Sequence, residues 1–238
     1  MEIRGKQILV TGGSQGLGEE ICRILAAEGA HVIVNCRRQV DKAQEIAREI
    51  GGCVRAFDIS DAGQVEEAFR DLELDILINN ARCDPYARKA ESDAEWFDRM
   101  IGVNLKGPYL CSLAAMEQMK RRGGGRIVNL SSVWAYRSAD RTMLEYAMSK
   151  AALHSLTRSL AGIGAPYGIT VNTVAPGLIV SKEMHDRLSP EELARKFARI
   201  PAGRGAAPAE IVNAVRFVIE NPYVTGETVN INGGTDMP

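Results

Sequence analysis

The sequence predicts an α/β fold, in which one doubly wound parallel sheet carries helices on both of its faces. Three observations support this prediction. Apolar runs alternate with segments of helical periodicity, several runs are nearly continuous in Val, Ile and Leu, and a glycine-rich turn follows the first run. A strand that is apolar throughout is typical of a parallel sheet covered on both faces. Because no linker, repeat or low-complexity segment interrupts the chain, we expect a single domain over residues 1–238.

The apolar runs define the predicted strands in chain order. They are Gln7–Val10, His31–Val34, Cys53–Phe57, Asp75–Ile78, Arg126–Leu130, Ile169–Val174 and a last strand around Val229–Ile231. Residues at helical spacing between them, such as Ile21 and Leu25 or Val65 and Phe69, predict helices that pack on the sheet. Ligands of such sheets bind beyond the carboxyl ends of the strands. The residues that follow each strand are therefore the first candidates for function.

Composition excludes several classes of function. The net charge of -1 gives no indication of nucleic-acid binding or of an anionic membrane surface. No apolar run reaches 18 residues, and the chain begins without the apolar segment of a signal peptide. The five cysteines are scattered and the three histidines do not cluster, so we expect free thiols and no metal site. Together these features favour a cytoplasmic protein.

The turn after the first strand has the spacing G-x3-G-x-G and opens a helix. Glycines allow a tight turn and let backbone N–H groups approach a pyrophosphate at the positive end of the helix. The segment lacks the Gly-Lys-Ser/Thr of a P-loop, which argues against phosphoryl transfer. The alternative is a glycine-rich turn that binds nothing. The residues expected to hold the cofactor here are Gly12, Ser14, Gln15, Gly16, Leu17 and Gly18.

Tyr146 and Lys150 are four residues apart on a predicted helix and therefore share one face of it. An ammonium near a phenol favours the phenolate and lowers the pKa of the phenol, which suits it to proton transfer near neutral pH. Apolar residues at 153, 156 and 160 continue the same face, so the pair is expected at the edge of a packed interior. The alternative is a tyrosine that only packs on a lysine stem.

These motifs stand in an order that resembles the short-chain dehydrogenases/reductases. The matching residues are Thr11 to Gly18, Asn79-Asn80-Ala81, Asn104, Ser132, Tyr146-x-x-x-Lys150, Asn172-x-Val-x-Pro176-Gly177 and the ending Gly226 to Gly234. The resemblance covers the whole chain and is nearest to β-ketoacyl-acyl-carrier-protein reductases and related sugar and alcohol dehydrogenases. It implies a Rossmann-like fold, hydride transfer between NAD(P)(H) and a carbonyl or secondary alcohol, and a homotetramer or dimer. The resemblance leaves open whether the substrate is a 3-oxoacyl thioester, a keto-sugar or a similar compound.

The resemblance also implies the catalytic roles. Ser132 would hydrogen-bond the substrate oxygen, and Tyr146 would donate or remove its proton. Lys150 would lower the pKa of Tyr146 and bind the nicotinamide ribose, while Asn104, in a helix beginning near residue 102, would hold a relay water. We choose Ser132 over Ser131 because a small apolar residue follows it, as in the family. The competing class of function is a nucleotide-binding sensor or regulator of the same fold that has lost catalysis.

The cofactor is expected to be NADP(H) rather than NAD(H). No acidic residue follows the second strand, where NAD-binding units place one, and Arg37 and Arg38 stand there instead. Guanidinium groups pair with a 2′-phosphate that a carboxylate would repel. Two observations oppose this: the arginines also suit a solvated turn, and Gln15 stands where NADP-preferring relatives often have a basic residue. Further cofactor contacts implied by the resemblance are Asp58, at the adenine, with Ile59, Asn80, Ala81, Pro176, Gly177, Ile179 and Ser181.

One position departs from the family, because Arg82 replaces the glycine of Asn-Asn-Ala-Gly. The segment from 82 to 89 is basic, as is the loop before Tyr146, which suggests a substrate with an anionic or hydroxyl-rich group. A solvated basic loop is an equal alternative. By resemblance, residues from about 178 to 207 form a lid over the substrate. The expected substrate contacts are Arg82, Trp134, Arg141, Met184 and His185.

Overall fold

The computed structural model describes residues 1–180, 184 and 188–238. Within this part of the chain, seven strands form one parallel sheet in the order β3-β2-β1-β4-β5-β6-β7. The strands are β1 Gln7–Val10, β2 His31–Cys36, β3 Cys53–Ala56, β4 Ile76–Asn79, β5 Gly125–Leu130, β6 Ile169–Pro176 and β7 Thr228–Ile231. The doubly wound sheet predicted from the sequence is confirmed, and each predicted strand matches one of these to within two residues at either end.

Helices connect the strands and cover both faces. They are α1 Gly16–Ala27, α2 Val40–Ile50, α3 Ala62–Phe69, α4 Asp93–Ile101, α5 Gly107–Arg122, α6 Leu144–Gly164, α7 Pro190–Phe197 and α8 Pro208–Glu220. Among the helices of the described residues, none is long and apolar enough to span a membrane.

Two apolar layers enclose the sheet because successive side chains of each strand point to opposite faces. Ile8 and Val10 pack into the layer beneath α1, α2 and α8, whereas Leu9 packs into the layer beneath α3, α5 and α6. All three side chains are fully buried, and the burial of each one contributes about 1.5–3 kcal/mol to the stability of the fold. This two-sided burial is the physical reason that the strands are apolar throughout.

The helix that carries Asn104 begins earlier than predicted. Its start is Asp93, where Ser92 and Glu95 form a reciprocal capping box that satisfies free N–H groups of the first turn. The helical path then continues through a π-helical turn at Gly102–Lys106 into α5. The predicted start near residue 102 is wrong because that glycine adopts right-handed helical angles inside the run.

The segment predicted to be a lid leaves and rejoins the domain at one point. Ile179 and Ala206 form an isolated parallel bridge, in which Val180 N donates to Ala206 O at 2.8 Å and Ala206 N donates to Leu178 O at 2.9 Å. Between them α7 begins at a second capping box, of Ser189 with Glu192. The role of this segment as a lid stays a prediction, and the predicted contacts Ser181 and His185 lie outside the described residues.

Candidate active site

The sheet order brings the predicted site residues to one edge. Strands β1, β4 and β5 are neighbours, so their carboxyl ends lie side by side. The glycine turn follows β1, Asn80 and Ala81 follow β4, and Ser132 follows β5. This is the crevice in which doubly wound sheets bind ligands.

The glycine turn packs closely on its neighbours at Gly12 and Gly18, where side chains do not fit. Gly12 has a φ of 63°, and a Cβ there would lie 2.8 Å from Ala81 Cα. At Gly18 an added Cβ would overlap the carbonyl oxygen of Gly12 and the side-chain amide of Asn80. That amide donates to Thr11 O at 2.9 Å and to Gly12 O at 3.1 Å, which fixes the path of the turn.

The turn presents backbone donors to the crevice. Among the described residues, none accepts a hydrogen bond from the N–H groups at 16, 17 and 18. Gln15 precedes α1 without capping it, because its side-chain oxygen accepts from Gln39 Nε2 at 3.0 Å. Ser14 Oγ lies 3.4 Å from Gln39 Oε1, and Leu17 packs on the core. Free N–H groups at a helix N-terminus fit a pyrophosphate.

A buried asparagine, not singled out in the sequence, holds the turn to the sheet. Asn35 Oδ1 accepts from Gly12 N at 3.1 Å, and Asn35 Nδ2 donates to the carbonyl oxygens of Arg55 and Phe57, both at 3.1 Å. The residue is two positions before Arg37, and a polar residue inside the apolar run of β2 was the available signal.

The arginines after β2 take different positions. Arg37 Nη1 lies 3.2 Å from Asp58 Oδ2, whereas Arg38 is exposed and makes no hydrogen bond or ion pair with other described residues. Asp58 also accepts from the N–H and the hydroxyl of Ser60, at 2.9 and 2.6 Å. Burial alone would raise the pKa of Asp58, but these hydrogen bonds and the charge of Arg37 lower it. Asp61, not Asp58, caps α3.

The two serines after β5 point to different partners. The Ser132 hydroxyl lies near enough to Tyr146 to lower the pKa of that phenol, and its Oγ accepts from Trp134 N at 3.3 Å. Ser131 turns the other way, because its Oγ donates to Lys150 O at 2.9 Å and lies 2.9 Å from His154 Nε2. The structure therefore brings Ser132 to the tyrosine, in agreement with the choice made from the sequence.

Tyr146 and Lys150 share one face of α6, as their spacing predicts, and both are buried. Lys150 Nζ donates to Leu130 O at 2.7 Å and lies 5.7 Å from the centre of the Tyr146 ring. Burial raises the pKa of Tyr146, and the charge of Arg82 and the hydrogen bond with Ser132 offset part of this. Burial and the charge of Arg82 lower the pKa of Lys150 to about 7. Arg82 is therefore a second source of positive charge near Tyr146, in addition to Lys150.

The side chain of Asn104 is fully buried and largely committed to protein contacts. Its Oδ1 accepts from Cys83 N at 2.6 Å, and its Nδ2 donates to Ser149 Oγ at 3.1 Å and to Met100 Sδ at 3.0 Å. Both N–H groups of the Asn104 side-chain amide therefore already have acceptors within the protein. The relay water expected at Asn104 stays a prediction.

The basic side chains around Tyr146 are mostly neutralised. Arg141 pairs with Glu145 at 2.6 Å and with Asp93 at 2.7 Å, so it does not offer a free charge as a substrate contact. Arg137 lies 5.9 Å above the Trp134 ring and pairs with Asp236, close to the end of the chain. Acids therefore cancel much of the positive charge that the sequence suggested for this loop, and the nature of the substrate stays a prediction.

The other predicted cofactor contacts lie around the same edge. Ala81 N donates to Thr11 Oγ1 at 3.0 Å, and Gly177 N donates to Ile231 O at 2.9 Å, which places Pro176 and Gly177 at the end of β6. Ile59 packs on α5, and Met184 is partly buried. In the described part of the chain, no three His, Cys, Asp or Glu residues come together as a metal site.

The comparisons with known proteins agree with this arrangement. A family model described as short chain dehydrogenase matches residues 6–192. An uncharacterized oxidoreductase of Thermotoga maritima is 39% identical, over 99% of both chains. A 3-oxoacyl-(acyl-carrier-protein) reductase of Escherichia coli is 38% identical, over 100% of both.

A solved structure is similar over nearly the same length. It is a gluconate 5-dehydrogenase from Burkholderia cenocepacia in complex with NADP and tartrate, with a TM-score of 0.85 and 30% identity. The match covers 98% of this chain and 97% of the other. From its fold, its site and these matches, the chain belongs to the short-chain dehydrogenase/reductase family of NAD(P)-dependent oxidoreductases.

Proposed function

We propose that this enzyme interconverts a carbonyl compound and its secondary alcohol with NADP(H). The proposal is carried by the position of Ser132 beside a buried Tyr146, at the strand edge where the glycine turn also lies. Two hydroxyl groups from different elements meet there, and together they can bind one oxygen atom. The dinucleotide, when bound, supplies the hydride.

In the reductive direction, Ser132 and Tyr146 hydrogen-bond the substrate oxygen and Tyr146 then gives it a proton. Because burial raises the pKa of Tyr146, its hydroxyl keeps its proton at neutral pH, as an acid catalyst requires. In the oxidative direction the same group removes the proton, helped by the nearby positive charge. Lys150, whose Nζ donates to Leu130 O, would hydrogen-bond the ribose of the bound cofactor.

Arg37 and Arg38 support the preference for NADP(H). Arg38 is unpaired among the described residues. Arg37 pairs with the carboxylate of Asp58 at 3.2 Å, and both side chains of this pair are partly exposed. A 2′-phosphate placed between the two guanidinium groups gains charge-assisted hydrogen bonds. The NADP of the similar gluconate 5-dehydrogenase supports the same assignment. Arg37→Gln with Arg38→Gln should weaken NADPH binding roughly tenfold and leave NADH binding unchanged.

The substrate proposed is a 3-oxoacyl thioester, a keto-sugar or a similar carbonyl compound, by analogy with the reductase and dehydrogenase relatives. By the same analogy we propose a homotetramer or a dimer in the cytoplasm. The gluconate 5-dehydrogenase complex contains tartrate, a hydroxy acid, which keeps hydroxylated acids among the candidates.

The test mixes the purified protein with NADPH or NADH and a panel of 3-oxoacyl thioesters, keto-sugars and oxo acids, and follows the absorbance of the reduced cofactor. Turnover with NADPH supports the proposal, and Tyr146→Phe should lower kcat by 10² or more while NADPH still binds. Arg48→Gln, on the exposed side of α2, is the matched charge control for the cofactor-binding arm. NADPH binding without turnover of any carbonyl would favour the sensor instead.

A further inference from the structure

The position of Arg82 is fixed on both sides by side chains of the crevice, which accept hydrogen bonds from its neighbours. The preceding N–H, of Ala81, donates to Thr11 Oγ1 at 3.0 Å, and the following N–H, of Cys83, donates to Asn104 Oδ1 at 2.6 Å. Both acceptors belong to elements that line the predicted cofactor and catalytic site. The Cα of Arg82 is therefore held at the mouth of that site.

The surroundings of this segment include the catalytic tyrosine. Cys83 packs in a small apolar cluster with Met143 and Tyr146, and Trp134 lies against the same cluster. The charge of Arg82 reaches both Tyr146 and Lys150, lowering the pKa that each would otherwise have. Because Cys83 packs with Tyr146, the residue before it lies on the same side of the crevice as the hydroxyl that exchanges a proton with the substrate.

The charge of Arg82 is less committed than those of the arginines at 88, 137 and 141. Arg88 pairs with Asp93 at 2.6 Å, and the partners of the arginines at 137 and 141 lie at 2.5–2.7 Å. The carboxylate nearest to Arg82 among the described residues is Asp84, at 3.4 Å, and both side chains are about half exposed. The other oxygen of Asp84 accepts from Tyr86 N, so this acid shares its charge with the turn.

We propose that Arg82 binds an anionic group of the substrate, a carboxylate or a phosphate, next to the carbonyl that reacts at Tyr146. Asp84 holds the guanidinium until that group replaces it. Arginine suits this task because its fork of N–H donors matches the oxygens of both anions. The inference rests on the proposed function. It narrows the substrate to small oxo acids or oxo phosphates, and it disfavours thioesters, which carry no charge beside the carbonyl.

The experiment uses two pairs of substrates that differ only in the anion: acetoacetate with methyl acetoacetate, and dihydroxyacetone phosphate with dihydroxyacetone. The ratio of kcat/KM between the members of a pair cancels any effect of Arg82 on the pKa of Tyr146. The wild type should prefer the anionic member of one pair roughly tenfold or more, and that pair identifies the anion. Arg82→Gln should abolish the preference, mainly by raising KM for the anionic member.

Two further variants sharpen the result. Asp84→Asn removes the competing carboxylate but keeps the oxygen that accepts from Tyr86 N, so it should increase the preference. Arg70→Gln removes one positive charge from the end of α3, remote from the crevice, and should leave the ratio unchanged. Circular dichroism melts establish that each variant is folded.

A binding measurement separates the inference from the proposed function. Malonate and inorganic phosphate are titrated by calorimetry into wild type, Arg82→Gln and Arg70→Gln. One of the anions should bind roughly tenfold more weakly to Arg82→Gln than to the wild type, whereas Arg70→Gln should bind it as the wild type does. If carbonyl compounds are reduced but the ratios and anion affinities are the same in Arg82→Gln and wild type, the inference is overturned and the proposed function stands. If nothing is reduced, the proposed function fails, while anion binding still reports on Arg82.

Discussion

Protonation of one buried histidine should make the stability of this enzyme depend steeply on pH below neutrality. His154 lies one turn after Lys150 on α6, with its Nε2 2.9 Å from Ser131 Oγ. The hydrogen of Ser131 Oγ is directed to Lys150 O, so Nε2 of His154 must be the donor. The neutral ring therefore supports the backbone of the catalytic lysine through one hydroxyl.

The charges around His154 oppose its protonation. Burial lowers its pKa from 6.5 to about 4, and the nearby charges of Arg158 and Lys150 act in the same direction. The Tyr136 ring, 5.0 Å away, brings no counter-charge. Because the folded-state pKa is the lower one, the stability is fully present above pH 6.5 and is lost as the pH falls toward 4. Protonation of His154 should lower the free energy of unfolding by about 3 kcal/mol in all, and about 2 kcal/mol of this should be lost between pH 7 and pH 5.

The assay is urea unfolding at pH 7 and at pH 5 for wild type and His154→Gln. Glutamine keeps an N–H donor for Ser131 but does not titrate, so the other groups that titrate in this range cancel between the two proteins. We expect the free energy of unfolding of the wild type to fall about 2 kcal/mol more than that of the variant. Equal losses in the two proteins would refute the reasoning about His154.

Two further changes test the packing of the cofactor site. Gly18→Ala places a methyl group against Gly12 O and the amide of Asn80, so it should weaken NADPH binding at least tenfold and destabilise the fold by about 1–3 kcal/mol, as measured by fluorescence titration and thermal melting. Asn35→Leu leaves the N–H of the glycine turn and two carbonyl groups without their partner, and urea unfolding should show a loss of about 2–3 kcal/mol; a loss below 0.5 kcal/mol, roughly the noise of such a measurement, would mean that water replaces the amide.

The elements of the fold were predictable because they follow from short-range patterns. The continuous apolar runs of β1 and β5 specify strands buried on two faces, and their ends were correct to within one residue. The helix before α5 was misjudged at its start because Gly102 was taken as a boundary, whereas the Ser92 and Glu95 capping box gave the true signal. Helix starts are read more reliably from caps than from glycines.

The candidate site was predictable only where its members are close in sequence or recur as motifs. The spacing of Tyr146 and Lys150 and the glycine turn belong to this class. The sequence also suggested Arg82 and Arg141 as substrate contacts, but Arg141 is neutralised by acids 48 and 4 residues away. The nearer acid is visible in the sequence, whereas the distant one is not, because ion pairs form wherever the fold brings opposite charges together.

What the sequence by itself determined is the order of strands and helices, the glycine turn after β1 and the face shared by Tyr146 and Lys150, since each depends on residues within a few positions of one another. The tertiary structure alone decided which cations lie near that tyrosine and how each one is held. It paired one arginine of the loop before α6 with Glu145, left Arg82 weakly held at the mouth of the crevice, and buried Lys150 until its pKa fell to about 7. Charge and burial depend on distances between segments remote in the chain, and folding sets those distances.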